Sequence, residues 1–130
     1  MKLAIAGGLA AYLLVIGLAA APAMSQTGGD PDAGADVFDA NCGDCHSLSP
    51  RGLNKKGPTL FRVTGRRAGT SPGFAFSAPM RASGIVWTPE RISAYLANPR
   101  AVVPGGIMKF RGLPRPQDRA NVIAYLQHPD

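Results

Sequence analysis

The hydrophobic positions of this chain fall into one long run followed by short, interrupted stripes. From Leu3 to Ala21, nineteen residues follow one another without a charge. Beyond that run the apolar residues recur at helical spacing. Asp30-Pro31 reads as a helix start, with proline at the first helical position. Val37 and Phe38 then lie between Asp36 and Asp39 in a short amphipathic stretch. Thr88-Pro89-Glu90 repeats the start signal, Ile92, Tyr95 and Leu96 follow, and Pro99 is expected to stop that helix. Pro116-Gln117-Asp118 opens a last helix whose Ile123 and Leu126 share a face with Ala120. No run of alternating β-branched residues suggests a sheet, and no internal repeat is present. Sixteen glycines and twelve prolines argue for short helices joined by long turns. The expectation is an all-α domain of three or more short helices.

The first run has its own logic. Met1-Lys2 precedes it, Pro22 breaks it, and Ala21-Pro22-Ala23 offers the small-x-small pattern of a signal-peptidase site. A second cut could use Ala23 and Ser25. Residues 1–23 therefore read as an export signal and 24–130 as the folded domain. As a helix the run would span about 28 Å, close to the hydrocarbon core of a bilayer. The same segment could thus remain as an anchor through residues 3–21. Its seven alanines and three glycines, and the adjoining cut, favour cleavage. Both readings export the domain, so a periplasmic location is expected. The remaining hundred-odd residues can bury only a limited core and gain from an added staple.

The two cysteines, Cys42 and Cys45, give that staple a chemistry. A redox disulfide at this spacing follows a strand of a βαβ unit, and no such unit can be drawn. A structural zinc site needs about four ligands. Cys42, Cys45, His46 and His128 are the only soft candidates, and His128 stands beside Pro129 where chains fray. Residues 42–46, Cys-Gly-Asp-Cys-His, have instead the spacing of covalent c-type haem attachment. Two thiols one helical turn apart reach the two porphyrin vinyl groups, and the adjacent histidine reaches the iron. A methionine on the opposite face would favour electron transfer. Beyond Met1 and Met24 only Met80 and Met108 remain. Met108 lies in the turn-rich stretch from Val103 to Phe110, which can fold over a haem face without bending a helix. Met80 reads as packing against the haem edge. Local context favours Met108, with Met80 as the other candidate.

With these motifs in place, the stretch from Gly34 to Leu126 resembles class I cytochrome c, especially its mitochondrial-like and bacterial c2-like single-haem members. The resemblance implies the small cytochrome c fold around one covalently bound haem c. Gly34 to Phe38 matches the family's first helix. Lys56-Gly57-Pro58-Thr59-Leu60 matches the segment whose proline carbonyl accepts the bond from the proximal histidine, which makes Pro58 the partner of His46. Gly65-Arg66 and Trp87 match positions near a haem propionate. Tyr95 to Arg100, followed by Pro104-Gly105, implies Met108 as second iron ligand, with Phe110 and Gly112 in the same loop. Ala120 to Leu126 matches the last helix, crossing the first near Gly34, where a glycine lets backbones approach. The chain departs from the family at Phe76, where a tyrosine is frequent, at Gly106, where threonine is usual, and at Met80, where asparagine is common. These changes imply a less polar haem pocket.

The formal charge of +6 then bears on partners. Lys55, Lys56, Arg66, Arg100, Lys109, Arg111 and Arg115 flank the expected haem-contacting segments. They read either as a generally solvated basic surface or as a positive ring that steers docking onto acidic redox proteins. Nucleic acid is a poor partner for an exported domain with no recognition helix or aromatic platform. Membrane contact is expected only if the N-terminal segment is retained. The expected function is single-electron carriage, not enzymatic turnover, between a quinol-oxidising complex and a terminal oxidase or photosynthetic reaction centre. A dedicated electron-accepting subunit of a periplasmic dehydrogenase is the alternative. A haem sensor or enzyme with one open iron face is a third, and the methionine-bearing loop argues against it.

Overall fold

Proline punctuation decides where the helices of this chain begin. The computed structural model describes residues 28–128. The helices are α1 (Pro31–Asn41), α2 (Ala78–Ala82), α3 (Pro89–Ala97), α4 (Pro99–Val102) and α5 (Pro116–Gln127). Each has a proline in its first two positions. There the fixed φ is already helical and the missing N–H would have had no partner. Four of the residues just before these helices accept bonds from the exposed N–H groups. Asp30 takes Asp32 N (2.9 Å), Ser77 takes Met80 N (3.3 Å), Thr88 takes Arg91 N (3.3 Å) and Asn98 takes Ala101 N (3.3 Å). Such a cap is worth about 1 kcal/mol. Helix α5 lacks a side-chain cap. Arg119 in its first turn reaches back instead, donating to Leu113 O (2.7 Å), Pro114 O (3.0 Å) and Ser93 Oγ (3.3 Å).

The three longer helices start where the sequence places them. Pro99 departs from expectation: it ends α3 but also opens another helix. Asn98 turns extended (φ −156°, ψ 90°) and caps the four-residue α4. The other short helix, α2, carries Met80.

Helices α1 and α5 cross closely. A Cβ on Gly34 would lie 2.1 Å from the Asn121 carbonyl oxygen, so the crossing depends on the absence of a side chain, as the family resemblance implied. Beside it Phe38 meets Tyr125 edge to face, ring centroids 5.6 Å apart. Asn121, buried in α5, accepts a bond from Asp30 N at 3.0 Å and from Gln117 Nε2 at 2.8 Å. Val122, Ile123 and Leu126 of α5 enter one core with Phe38, Ile92, Val103 and Leu113.

The long loops are held by backbone bonds, not by a sheet. Among the described residues no strand forms, only an isolated bridge between Arg67 and Val86. Around it Gly65 N donates to Trp87 O (2.8 Å), Trp87 N to Arg66 O (2.9 Å) and Ala68 N to Ile85 O (2.8 Å). The N-terminal run read as signal or anchor lies outside the described residues. Among the described residues no helix is long and apolar enough to cross a membrane.

Candidate functional site

Where α1 ends, the chain continues in tight turns through the Cys-Gly-Asp-Cys-His segment. Cys42 N donates to Phe38 O (2.7 Å), Cys45 N to Cys42 O (3.0 Å) and His46 N to Cys42 O (2.9 Å). Both thiols are free, and the turn keeps both side chains and the imidazole on one wall of a cavity. Burial, with Cys45 alongside, pushes the Cys42 thiol up to about 11. At neutral pH it is a neutral thiol and not a metal-seeking thiolate.

His46 Nδ1 lies 2.8 Å from Pro58 O. A carbonyl only accepts, so Nδ1 carries the proton and the Nε2 lone pair is left for a ligand. Burial is the main influence that lowers the His46 pKa, opposed by the Pro58 bond and reinforced by the Lys55 charge. The neutral imidazole that a metal requires is thereby favoured. The loop that presents Pro58 is itself braced. Gly57 N donates to Cys45 O (2.7 Å), Leu60 N to Ser47 O (2.8 Å) and Thr59 N to Asn54 Oδ1 (2.9 Å). Arg66 Nη2 donates to Thr59 O (2.7 Å) and Nη1 to Phe61 O (3.2 Å). The guanidinium thus holds the loop behind the histidine while its side chain lines the cavity.

Met108 reaches the same cavity from a non-helical loop. Gly106 N donates to Val103 O (3.0 Å) and Leu113 N to Leu96 O (2.7 Å), which pins the loop to the core before and after the methionine. The Tyr95 hydroxyl donates toward Met108 Sδ at 4.0 Å. Trp87 is buried against Tyr95, with ring centroids 5.0 Å apart. Met80 also lines the cavity and packs on the core, so lining alone does not separate the two methionines. The Tyr95 contact belongs to Met108. In the sequence, Tyr95 counted as a member of the α3 stripe and as the start of the Tyr95–Arg100 stretch of the resemblance, with no contact to Met108 assigned to it. Its position one turn after Ile92, on the face turned to the later loop, was the available signal.

All seven residues expected at the site, Cys42, Cys45, His46, Pro58, Arg66, Trp87 and Met108, therefore surround one cavity of about 400 Å³. Its walls are mostly apolar, with Leu60, Val63, Phe74, Ile92, Phe110 and Leu126 among them. Protein interiors are close-packed, with few voids larger than a water molecule. A cavity of this size falls in the range of sites for organic ligands. The donors suit a porphyrin. Among the described residues no three His, Cys, Asp or Glu side chains gather to hold a bare metal ion. One imidazole with one thioether would leave the remaining coordination positions of an iron to a macrocycle. The expected positive ring is only partly drawn in. Lys56, Arg66, Arg67 and Lys109 line the cavity with no acidic residue among its walls. Lys55 turns its amine to Gly43 O (2.6 Å), while Arg100, Arg111 and Arg115 are exposed and do not line it.

An apolar cavity walled by a Cys-Gly-Asp-Cys-His turn and wrapped by short helices is the architecture of the cytochrome c family, and the chain belongs to that family, whose sequence model, Cytochrome c, matches residues 31–129. Cytochrome c of Theileria annulata is 44% identical over 99 residues, covering 76% of this chain and 85% of that protein. Cytochrome c2 of Rhodomicrobium vannielii is 45% identical over 104 residues, 80% of this chain and 82% of that one. Cytochrome c2 of Rhodopila globiformis is 44% identical over 99 residues, 76% of this chain and 92% of that one. The cofactor is accordingly a covalently attached haem c, and the chain is a haem-based electron carrier.

Proposed function

We propose that this chain is an exported single-electron carrier. Cys42 and Cys45 would hold the porphyrin through thioether bonds, and His46 and Met108 would ligate its iron. The observation that carries this reading is the convergence of two prepared side chains on one cavity. His46 has Nδ1 committed to Pro58 O at 2.8 Å, and Met108 has its sulfur beneath the Tyr95 hydroxyl. When bound, haem c supplies an iron that takes up and gives back one electron.

The chain's own residues set the conditions for that exchange. Pro58 fixes the tautomer of His46 and raises its basicity through the shared proton. The thioether of Met108 favours reduced iron, which raises the potential. Tyr95 holds that thioether in place. The apolar walls exclude water, so charge and dipoles near the iron act at low dielectric. With both His46 and Met108 bound, the iron would have no position left for a substrate, which favours carriage over catalysis.

Lys56 and Lys109, at a cavity without acidic walls, suit brief docking onto redox proteins with acidic surfaces. The partners that fit are a quinol-oxidising complex as donor and a terminal oxidase or photosynthetic reaction centre as acceptor. Residues 1–23 would direct export and 24–130 would work in the periplasm.

The test is a visible spectrum of the purified, dithionite-reduced protein before and after carbon monoxide. Sharp low-spin bands unmoved by the gas support two closed faces and carriage. Bands that shift would mean an open or labile sixth position and would favour a sensor or enzyme.

A further inference from the structure

Among the described residues two buried hydroxyls have no hydrogen-bond partner, Thr64 Oγ1 and Ser71 Oγ. Ser71 as a residue is only 4% exposed and forms part of the cavity wall, whereas Thr64 does not line it. A buried hydroxyl without a partner is destabilising, and native structures contain few of them. We propose that Ser71 is a haem-binding residue whose hydroxyl donates to a carboxylate of the bound haem c. The proposal rests on the reading of this cavity as the haem site and adds a contact to it.

The surroundings of Ser71 favour an anion. The backbone pairing of Arg66 with Trp87 leads through the Arg67 bridge into the turn that carries Ser71. Within that turn Thr70 Oγ1 donates back to Arg67 O at 2.6 Å. Arg66, Arg67, Thr70 and Ser71 consequently line the cavity from one short stretch of chain with two positive charges, and no acidic side chain is among the lining residues. A haem carboxylate brings the negative charge and the acceptor oxygens that this wall lacks. Phe76 lines the cavity with no hydroxyl to offer. Arg66 spends two of its N–H groups on Thr59 O and Phe61 O. Ser71 Oγ is covered as the side chain stands, so the contact requires a turn about its single side-chain torsion when the haem is in place. Serine makes such a turn between staggered positions without disturbing the backbone.

The test compares two matched deletions in the haem-loaded protein, Ser71→Ala and Thr64→Ala. An orphan hydroxyl and a bonded one respond with opposite signs. Removing an orphan leaves stability unchanged or raised, and removing a donor to a charged acceptor lowers it. Ser71→Ala is expected to raise the unfolding equilibrium constant by roughly tenfold or more. It should also shift the carboxylate band in redox-difference infrared spectra and lower the reduction potential, because the haem's negative charge is then less offset. Thr64→Ala should change neither the band nor the potential. A Ser71→Ala protein as stable as the parent, with an unmoved infrared band, would overturn the proposal. That outcome leaves the reading of the iron ligands standing, since those are judged by the carbon monoxide spectrum and not by these readouts.

Discussion

Gly57 and the ring of His46 compete for the same space: a Cβ added to Gly57 would stand 2.4 Å from His46 Cε1 and 2.8 Å from Nδ1. The glycine is therefore part of what sets the imidazole plane, together with the Pro58 carbonyl next to it. Replacing it with alanine should push the ring away and lengthen the Nδ1 bond. Gly57→Ala is expected to destabilise the haem-loaded protein by about 2 kcal/mol, measured by denaturant unfolding, and to broaden its low-spin absorption bands. Unchanged bands and stability would mean that the ring has room elsewhere.

The two methionines separate by mutation. Met108→Ala should open the iron to carbon monoxide and lower the reduction potential strongly. Met80→Ala should keep the gas-insensitive spectrum and lose stability by about 1–2 kcal/mol, less than a fully buried methionine would cost. Carbon monoxide difference spectra on both variants decide it. A methionine-ligated spectrum in Met108→Ala would defeat the assignment.

Tyr95 offers a pH dependence with a definite sign. Burial raises its pKa above the usual tyrosine value. The folded chain therefore holds this proton more tightly than the unfolded chain does. Stability from this residue is fully present below the unfolded value of about 10 and is lost as pH rises through the folded one. Tyr95→Phe should flatten the alkaline end of the stability curve and lower the potential, since a donor no longer polarises the Met108 sulfur. Thermal unfolding from about pH 8 to 11, spanning the ordinary tyrosine value, with redox titration at neutral pH, checks both parts.

At the α1–α5 crossing, Gly34→Ala would place a methyl group 2.1 Å from the Asn121 carbonyl oxygen. Backbone on both sides cannot yield as a side chain can, so a loss of about 3 kcal/mol or more is expected, read from the urea midpoint. The visible spectrum of the fraction still folded should be normal, because no cavity wall is touched.

Charge reversal probes docking. Lys109→Glu should slow association with an acidic redox partner by about tenfold at low ionic strength, and the difference should shrink as salt is added. Stopped-flow kinetics over a salt series measures this. A salt-independent rate would assign Lys109 to the generally solvated surface.

What the sequence announced and what it concealed divide along physical lines. Asp30-Pro31, Thr88-Pro89 and Pro116 mark helix starts because a cap and a proline act within one turn and need no tertiary context. The Cys42 to His46 segment is equally local, since its chemistry depends on spacing alone. Helices α2 and α4, of five and four residues, are too short for a hydrophobic period to show. Asn98 could not be seen as a cap for a second helix, because Pro99 suits the end of one helix as well as the start of another. Tyr95 and Ser71 stayed hidden for another reason. Their roles arise from a residue 13 positions away in one case and from the cavity itself in the other. Arg66 was visible as a cavity residue through family resemblance, but its bonds to Thr59 and Phe61 were not.

The bond from Asp30 N to Asn121 spans 91 positions of sequence, and it joins the start of α1 to the middle of α5. The domain is thus a closed ring of chain, clasped where its two ends meet. A single backbone cut in the loop between Pro72 and Phe76 would divide it into a piece carrying Cys42, Cys45 and His46 and a piece carrying Met108. Each piece would keep one half of the clasp and one side of the cavity. The halves should reassemble around the shared prosthetic group, so the clasp makes this a protein that can be broken in two and still behave as one.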